Sequence, residues 1–438
     1  MSLEKRCDVV YSEFLLQFDK VKMDFLHILF SVGLFAIFLS ILPFTLVFLF
    51  VHLSKSRAAF ENGADWHGNS SDSSDFIVHF VTGGFSGATK VALEIVRGSN
   101  QNQNFKSLLV LRKKRSTDPI RVQQAIDSGI KVLLVPGWAH LATVAELTCL
   151  LKKYNPRVLV CHGFSEHLWG RYAGLLAKVP SIIHVEHNSR ERYTPWRLYQ
   201  ARWLSRHTDK IVGVSEGVRQ NLLRLNFPHD NTIAINNGIN LEPYRSLKYT
   251  NFKNRAPNIV MAARFAKQKD HLTLIRAVGE LVKRGFSPDV YLAGTGNNRH
   301  SSRAESLVTE LELNERVHFL GFCNSVPDLL LSNQICVLST HYEGMPLSLS
   351  EGMAAGCAVI GSSVVGVKEM INHKDDGLLV EPNSPNALAD GLEVLLTDVN
   401  FAERLGLKAR ERAKNELSTE GMVERYEHLI GSLLERKL

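Results

Sequence analysis

Cysteine is sparse and unpaired in this 438-residue chain. The six present, Cys7, Cys149, Cys161, Cys323, Cys336 and Cys357, lack the short paired spacings of a metal module. That scatter excludes a disulfide framework, and those inside apolar runs read as small buried residues. The dinucleotide fingerprint G-x-G-x-x-G is also missing. The first glycine turn reads Thr82-Gly-Gly-Phe-Ser-Gly-Ala-Thr-Lys90 instead, which disfavours an oxidoreductase. Finally, no nucleic-acid module and no basic run interleaved with aromatics accompanies the net charge of +7, so nucleic acid is not expected as a partner.

What is present is a chain long enough for two α/β domains and an appendage, with 45% hydrophobic residues. The charge is unevenly placed. Residues 76–240 hold 22 Lys and Arg against 10 Asp and Glu, whereas 241–438 hold 23 against 25. A basic first half suits anionic partners such as membrane lipids or a phosphate-bearing acceptor. Ahead of it, Phe25 to Val51 is apolar and free of charged side chains. At about 1.5 Å per residue it exceeds the roughly 30 Å hydrocarbon layer, so a single membrane-spanning anchor is expected, kinked at Pro43. The polar stretch that follows, rich in Gly, Asn, Ser and Asp, reads as a flexible linker.

Short apolar runs then alternate with helix-length segments, the pattern of a parallel, doubly wound sheet. The first series is Phe76–Thr82, Leu108–Leu111, Lys131–Val135, Arg157–Cys161, Ser181–Val185, Lys210–Val214 and Thr232–Ile235. The second is Asn258–Ala263, Asp289–Ala293, Val317–Leu320, Ile335–Ser339, Ala358–Gly361 and Gly377–Val380. The expected organisation is a segment 1–24, an anchor 25–53, a linker 54–75, two Rossmann-like domains over 76–240 and 241–420, and a terminal helical stretch 421–438. A hinge is expected near Asn237 to Thr250.

Several residues stand where ligands bind in such folds, at the carboxyl ends of strands. The turn at Gly83 and Gly84 could bring amides close to a phosphate. The strand Ser181-Ile-Ile-His184-Val-Glu186-His187 places His184 and Glu186 on one face and His187 on the other, so those three cannot converge on a metal, and no metal site is expected. His162 is a weaker candidate at the end of its own strand. Arg264, Lys267 and Lys269 follow the first strand of the second series, with Lys267 expected to face solvent. Trp196, Tyr199, Gln200 and Trp203 recur at helical spacing among Arg197, Arg202 and Arg206. That stretch reads either as a core-packed helix or as a surface for membrane or lipid acceptor.

The run His341-Tyr-Glu-Gly-Met-Pro-Leu-Ser-Leu-Ser-Glu351-Gly-Met-Ala-Ala-Gly356 places Glu343 on a loop and Glu351 about two turns into a helix over Ser348–Ala355. The amide-rich start of that helix favours an anion. Glu343, Gly344, Pro346, Glu351, Met353, Ala354 and Gly356 fit a Glu-x7-Glu signature, and from about Phe76 onward the chain resembles the retaining glycosyltransferases of family 4. The resemblance implies a GT-B fold, two Rossmann-like domains facing across a cleft, and a nucleotide-diphosphate sugar donor with no further cofactor.

It also implies roles. Arg264 and Lys269 would hold the diphosphate, Glu343 the donor sugar, Glu351 the ribose, and His187 would lie near the reacting sugar. Gly83, Gly84, Gly294, Gly296 and the stretch Met345, Pro346, Leu347 would line the donor. Glu369 falls where the family often has Gly-Gly-x-x-Glu, with Val365 in place of the first glycine. The terminal helix would cross back onto the first domain. The expected activity is transfer, with retention, to a saccharide or lipid-linked acceptor in cell-surface polysaccharide or glycolipid synthesis. Lys5, Arg6, Lys20 and Lys22 precede the anchor against Lys55 and Arg57 after it, a small bias toward a cytoplasmic N-terminus. The cytosolic supply of nucleotide sugars outweighs it, so a single-pass membrane protein with a cytoplasmic catalytic part is expected. A nucleotide-sugar epimerase, or a non-catalytic partner that binds sugar nucleotides, would share the architecture.

Overall fold

All thirteen apolar runs form strands in the computed structural model, which describes residues 76–189, 193–245, 251–296 and 298–436. The expected anchor and linker lie outside the described residues; among the described residues no helix is long and apolar enough to cross a membrane. The first sheet contains β1 (Phe76–Thr82), β2 (Lys106–Arg112), β3 (Val132–Val135), β4 (Val158–His162), β5 (Ser181–Glu186), β6 (Lys210–Gly213) and β7 (Thr232–Ala234). Its order is β3-β2-β1-β4-β5-β6-β7. The second contains β8 (Ala256–Ala262), β9 (Val290–Ala293), β10 (Val317–Gly321), β11 (Asn333–Leu338), β12 (Ala358–Ser362) and β13 (Leu378–Val380), in the order β10-β9-β8-β11-β12-β13. Every pairing is parallel. Helices cover both faces, and that is why the strands read as continuous apolar runs rather than alternating ones.

Six helices follow strands of the first sheet: α1 (Gly87–Asn102), α2 (Pro119–Asp127), α3 (His140–Tyr154), α4 (Phe164–Leu176), α5 (Pro195–Ser205) and α6 (Glu216–Arg224). In α5 the buried residues are Ala201, Leu204 and Ser205, while Trp196, Tyr199 and Trp203 are exposed. The core-packed reading of those aromatics is therefore wrong: small and aliphatic residues take the inner stripe.

The short α7 (Glu242–Arg245) links the domains. The second domain holds α8 (His271–Lys283), α9 (Asn298–Glu310), α10 (Val326–Ser332), α11 (Leu347–Ala355), α12 (Val365–Lys368), α13 (Pro385–Thr397), α14 (Val399–Glu416) and α15 (Thr419–Glu435). Capped by the Ser418 hydroxyl on the Gly421 amide, α15 crosses to the first domain and lies on α1. A Cβ at Gly98 would come within 2.6 Å of Val423, so the two helices are in close contact there. One apolar core runs from the first sheet through Ile239, Leu241, Tyr244 and Phe252 into the second, so the domains are joined by buried packing as well as by chain.

Candidate active site

The topology places the sequence candidates at two facing positions. In each sheet the strand order reverses between two central strands, β1 and β4 in the first and β8 and β11 in the second. The crevice outside the carboxyl ends of such strands is where doubly wound folds bind ligands. Gly83 and His162 mark that point in the first domain, Arg264 and Glu343 in the second.

Lys269, on a 3₁₀ turn at Lys267–Lys269, donates from Nζ to Glu343 Oε1 at 2.6 Å. Thr340 Oγ1 lies 2.9 Å from the same oxygen. Both charged side chains are largely withdrawn from water, 14% and 7% exposed. Their loops are tied together, since the Gln268 side chain donates to the Tyr342 carbonyl at 2.7 Å and the His341 amide donates to the Gln268 carbonyl at 2.9 Å. Arg264 is exposed and forms no ion pair among the described residues, as Lys267 also remains solvent-facing. Gly294 has φ +155°, and a Cβ there would lie 2.2 Å from the Ala263 carbonyl and 3.3 Å from the Arg264 amide. Gly296 is pressed in the same way on Phe265. These glycines have a chain-packing reason first: they let the loop after β9 lie against the backbone that presents Arg264.

Beyond Glu343 the chain enters α11 through Met345 and Pro346. The Asn237 amide donates to Met345 Sδ at 3.1 Å and its side-chain nitrogen to the Met345 carbonyl at 3.3 Å, so the link between domains fixes this entry. Pro346 supplies no side-chain cap, and the amides of Leu347 and Ser348, in the first turn, have no intrahelical acceptor. Glu351 projects from the same helix to Lys90 of α1, 3.9 Å away across the cleft. Burial raises the proton affinity of Glu351, and Lys90 counteracts it. Lys90 itself is 63% exposed, so the contact is readily exchanged for a ligand.

On the first domain the Gly83 amide donates to the Arg112 carbonyl at 2.9 Å, while Gly84 has room for a side chain. Three imidazoles from adjacent strands form a chain: His79 Nδ1 to His162 Nε2 at 3.1 Å, and His162 Nδ1 to His187 Nε2 at 3.3 Å. Burial holds His79 down to about 3 and His187 to about 4, with His162 well below its usual range, so all are neutral at physiological pH. His79 Nε2 has no hydrogen-bond partner among the described residues. A bare lone pair there costs less than a buried unpaired N–H, so hydrogen bonds run outward from His79 to His162 to His187, whose own hydrogen sits on Nδ1.

The two domains touch at this place. The Ser215 hydroxyl donates to the Gly344 carbonyl at 3.0 Å, and the Gly217 amide donates to Glu369 Oε1 at 2.5 Å. A Cβ on Gly344 would lie 2.2 Å from the His187 carbonyl, so Glu343 and His187 belong to one wall junction. Thr340, Ser215, Lys90 and His79 escaped sequence reasoning because each acts through a neighbour brought up by topology. His184 and Glu186 do share a face, and with His167 of α4 they bring ligand-type atoms within 4.8 Å. His167 Nδ1 is held by Arg171 at 2.7 Å and Nε2 by Tyr193 at 3.1 Å, and its ring stacks on His184. Both ring nitrogens of His167 are thus engaged, with a guanidinium beside them, whereas those of His184 make no hydrogen bond among the described residues.

Comparison with known proteins follows the same division. Residues 85–243 match the domain described as Glycosyltransferase Family 4, and residues 246–412 the one described as Glycosyl transferases group 1. The chain is 22% identical over 337 residues to the UDP-Gal:alpha-D-GlcNAc-diphosphoundecaprenol alpha-1,3-galactosyltransferase of Escherichia coli, covering 71% of this chain and 86% of that protein. It is 31% identical over 157 residues, 36% of this chain and 42% of the other, to the N-acetylgalactosamine-N,N'-diacetylbacillosaminyl-diphospho-undecaprenol 4-alpha-N-acetylgalactosaminyltransferase of Campylobacter jejuni. Among solved structures, Anabaena HepE in complex with UDP-glucose superposes with a TM-score of 0.72 at 17% identity, over 82% of this chain and 99% of that one. The sucrose-phosphate synthase of Thermosynechococcus elongatus gives 0.70 at 19%, over 83% and 100%. These likenesses establish the shared fold.

Proposed function

With a family 4-like domain followed by a group 1 domain in the GT-B arrangement, the chain is a glycosyltransferase, and we propose that it transfers a hexose, with retention, from a nucleotide-diphosphate sugar to a lipid-linked saccharide. The observation that carries this reading is the Lys269–Glu343 pair at the reversal point of the second sheet, beside the uncapped start of α11. An ammonium has three hydrogens, and one engaged by Glu343 leaves two for a diphosphate oxygen. Arg264 supplies a second, unengaged cation. As the bond from the anomeric carbon to the diphosphate oxygen breaks, charge grows on the leaving group, and fixed cations stabilise that growth more than the ground state.

The acceptor hydroxyl attacks the same face of the sugar, and its proton passes to the departing diphosphate. Glu343 orients sugar hydroxyls, Glu351 takes ribose hydroxyls after releasing Lys90, and neutral His187 contributes an N–H at the sugar. Gly83, Gly84 and the amides about Met345 to Leu347 flank the donor. The acceptor class is supported by the diphosphoundecaprenol substrates named in the two bacterial relatives, and by the basic first domain. The uncharged stretch Phe25–Val51 supports anchoring in the membrane, and the cytosolic supply of nucleotide sugars favours catalysis on the cytoplasmic side.

The test is a panel of nucleotide sugars followed by thermal denaturation and slow donor hydrolysis, with the anomeric configuration of the product read by proton NMR. A ligand at 100 times its Kd should stabilise the fold by about 2.7 kcal/mol. A panel in which no sugar nucleotide stabilises the protein rules out the donor site; sugar inversion without any acceptor would point to an epimerase.

A further inference from the structure

The carboxyl ends of β2 and β3 carry a second constellation that the transfer chemistry does not use. β2 ends on Arg112, which is 3% exposed. Its guanidinium donates to His140 Nδ1 at 2.8 Å and lies 3.6 Å from Glu166 Oε1, while Nε has no hydrogen-bond partner among the described residues. Lys114 Nζ is 2.9 Å from the same Glu166 oxygen and one third exposed. His140, exposed at the edge of this cluster, has its proton affinity lowered first by burial and then by the neighbouring cations, Arg112 foremost. One carboxylate therefore meets two cations at a place open to solvent at Lys114 and His140. A buried guanidinium with an unsatisfied donor is costly unless an anion completes it.

Aromatic rings lead away from this recess. His140 stacks on Trp169 at 4.2 Å, Trp169 meets Tyr172 at 6.2 Å, and Tyr172 stacks on Trp203 at 6.2 Å. Alongside, Trp196 stacks on Tyr199 at 5.6 Å, and these two are 55% and 62% exposed. An anion pocket continued by an exposed apolar strip matches a ligand with a charged head and a hydrocarbon tail. Because the Arg112 carbonyl accepts from the Gly83 amide, the recess shares a wall with the cleft.

We propose that this constellation binds the hydrocarbon-tailed diphosphate end of the acceptor, the anion on Arg112 and Lys114 and the tail along Trp196, Tyr199 and Trp203. This rests on the lipid-linked acceptor reading above and gives that acceptor its own site. The concentration of charge in one recess, rather than along a track, favours a single head group over nucleic acid.

Arg112 is too buried to be the test residue, whereas Lys114→Gln and Trp196→Ala change accessible groups. Farnesyl diphosphate, inorganic pyrophosphate and farnesol would be titrated against the full chain in detergent, with tryptophan fluorescence as readout. Farnesyl diphosphate should bind at least about tenfold more tightly than either fragment, the K114Q protein should lose about tenfold for both diphosphates, and W196A only for the tailed one. Unchanged affinity in both variants would overturn the site. Equal displacement of farnesyl diphosphate by phosphatidylglycerol vesicles would also overturn it, assigning the patch to bulk lipid. Lys269→Met separates the two readings: it should abolish nucleotide-sugar binding and leave farnesyl diphosphate binding intact. Tail-dependent binding without any donor binding would leave this site standing and remove the donor reading.

Discussion

Lys269 and Glu343 meet at 2.6 Å in a setting from which water is largely withdrawn, with Thr340 against the same carboxylate oxygen. The pair is thus a structural tie between the loops after β8 and β11 and, in the proposed donor site, its polar floor. Removing one partner strands the other.

Lys269→Met should be the more damaging of the two substitutions. It leaves the Glu343 carboxylate, on a side chain 7% exposed, with Thr340 as its remaining side-chain partner, at a cost on the order of 3 kcal/mol. Glu343→Gln leaves an ammonium that can turn toward solvent and should cost about 1 kcal/mol. Urea denaturation of the two variants checks the order, and a larger loss for E343Q would contradict it.

Acid should weaken the first domain before carboxylates titrate. The folded pKa values of His79, His184 and His187 are lowered to about 3, 4 and 4 from the usual 6.5, mainly by burial. The unfolded chain therefore binds more protons over this range, so stability is full above pH 6.5 and falls as pH drops toward 4. The urea midpoint at pH 5 should lie below that at pH 7.5, and His162→Gln, which removes one further imidazole of lowered proton affinity, should reduce the difference. Equal midpoints would show that the imidazoles are open to protonation in the folded state.

Glu369 should act on domain closure. Its carboxylate, with proton affinity raised by burial, accepts from the Gly217 amide and the Ser215 hydroxyl of the other domain. Glu369→Ala should loosen the junction by about 1–3 kcal/mol, raise the donor KM more than it lowers kcat, and increase the radius of gyration in solution scattering. An unchanged KM would assign Glu369 to local packing alone.

Much of this was legible from sequence. Both faces of the parallel sheets are covered, so their strands appear as apolar runs, and β1 was read from Phe76 to Thr82 as found. Boundaries slipped where a polar residue ends a strand, as at Arg112 and His162, and α11 begins one residue early at Leu347. Relationships across strands were out of reach: His79, His162 and His187 meet only because β1, β4 and β5 are neighbours in the sheet. The buried ion pair of Arg112 with Glu166 joins residues far apart in the chain. Val365, where a glycine was expected, starts a short helix, and the close approach falls on Gly366, whose Cβ would lie 2.1 Å from the Gly344 carbonyl.

The central claim, that the diphosphate of the donor is held at Arg264 and Lys269, is tested most directly by kcat/KM for Arg264→Ala. Arg264 is exposed and engages no protein partner among the described residues, so its loss should leave the fold intact. Turnover with the preferred nucleotide sugar should fall on the order of 100-fold while the melting temperature is unchanged. Wild-type kcat/KM in the folded R264A protein would contradict the account.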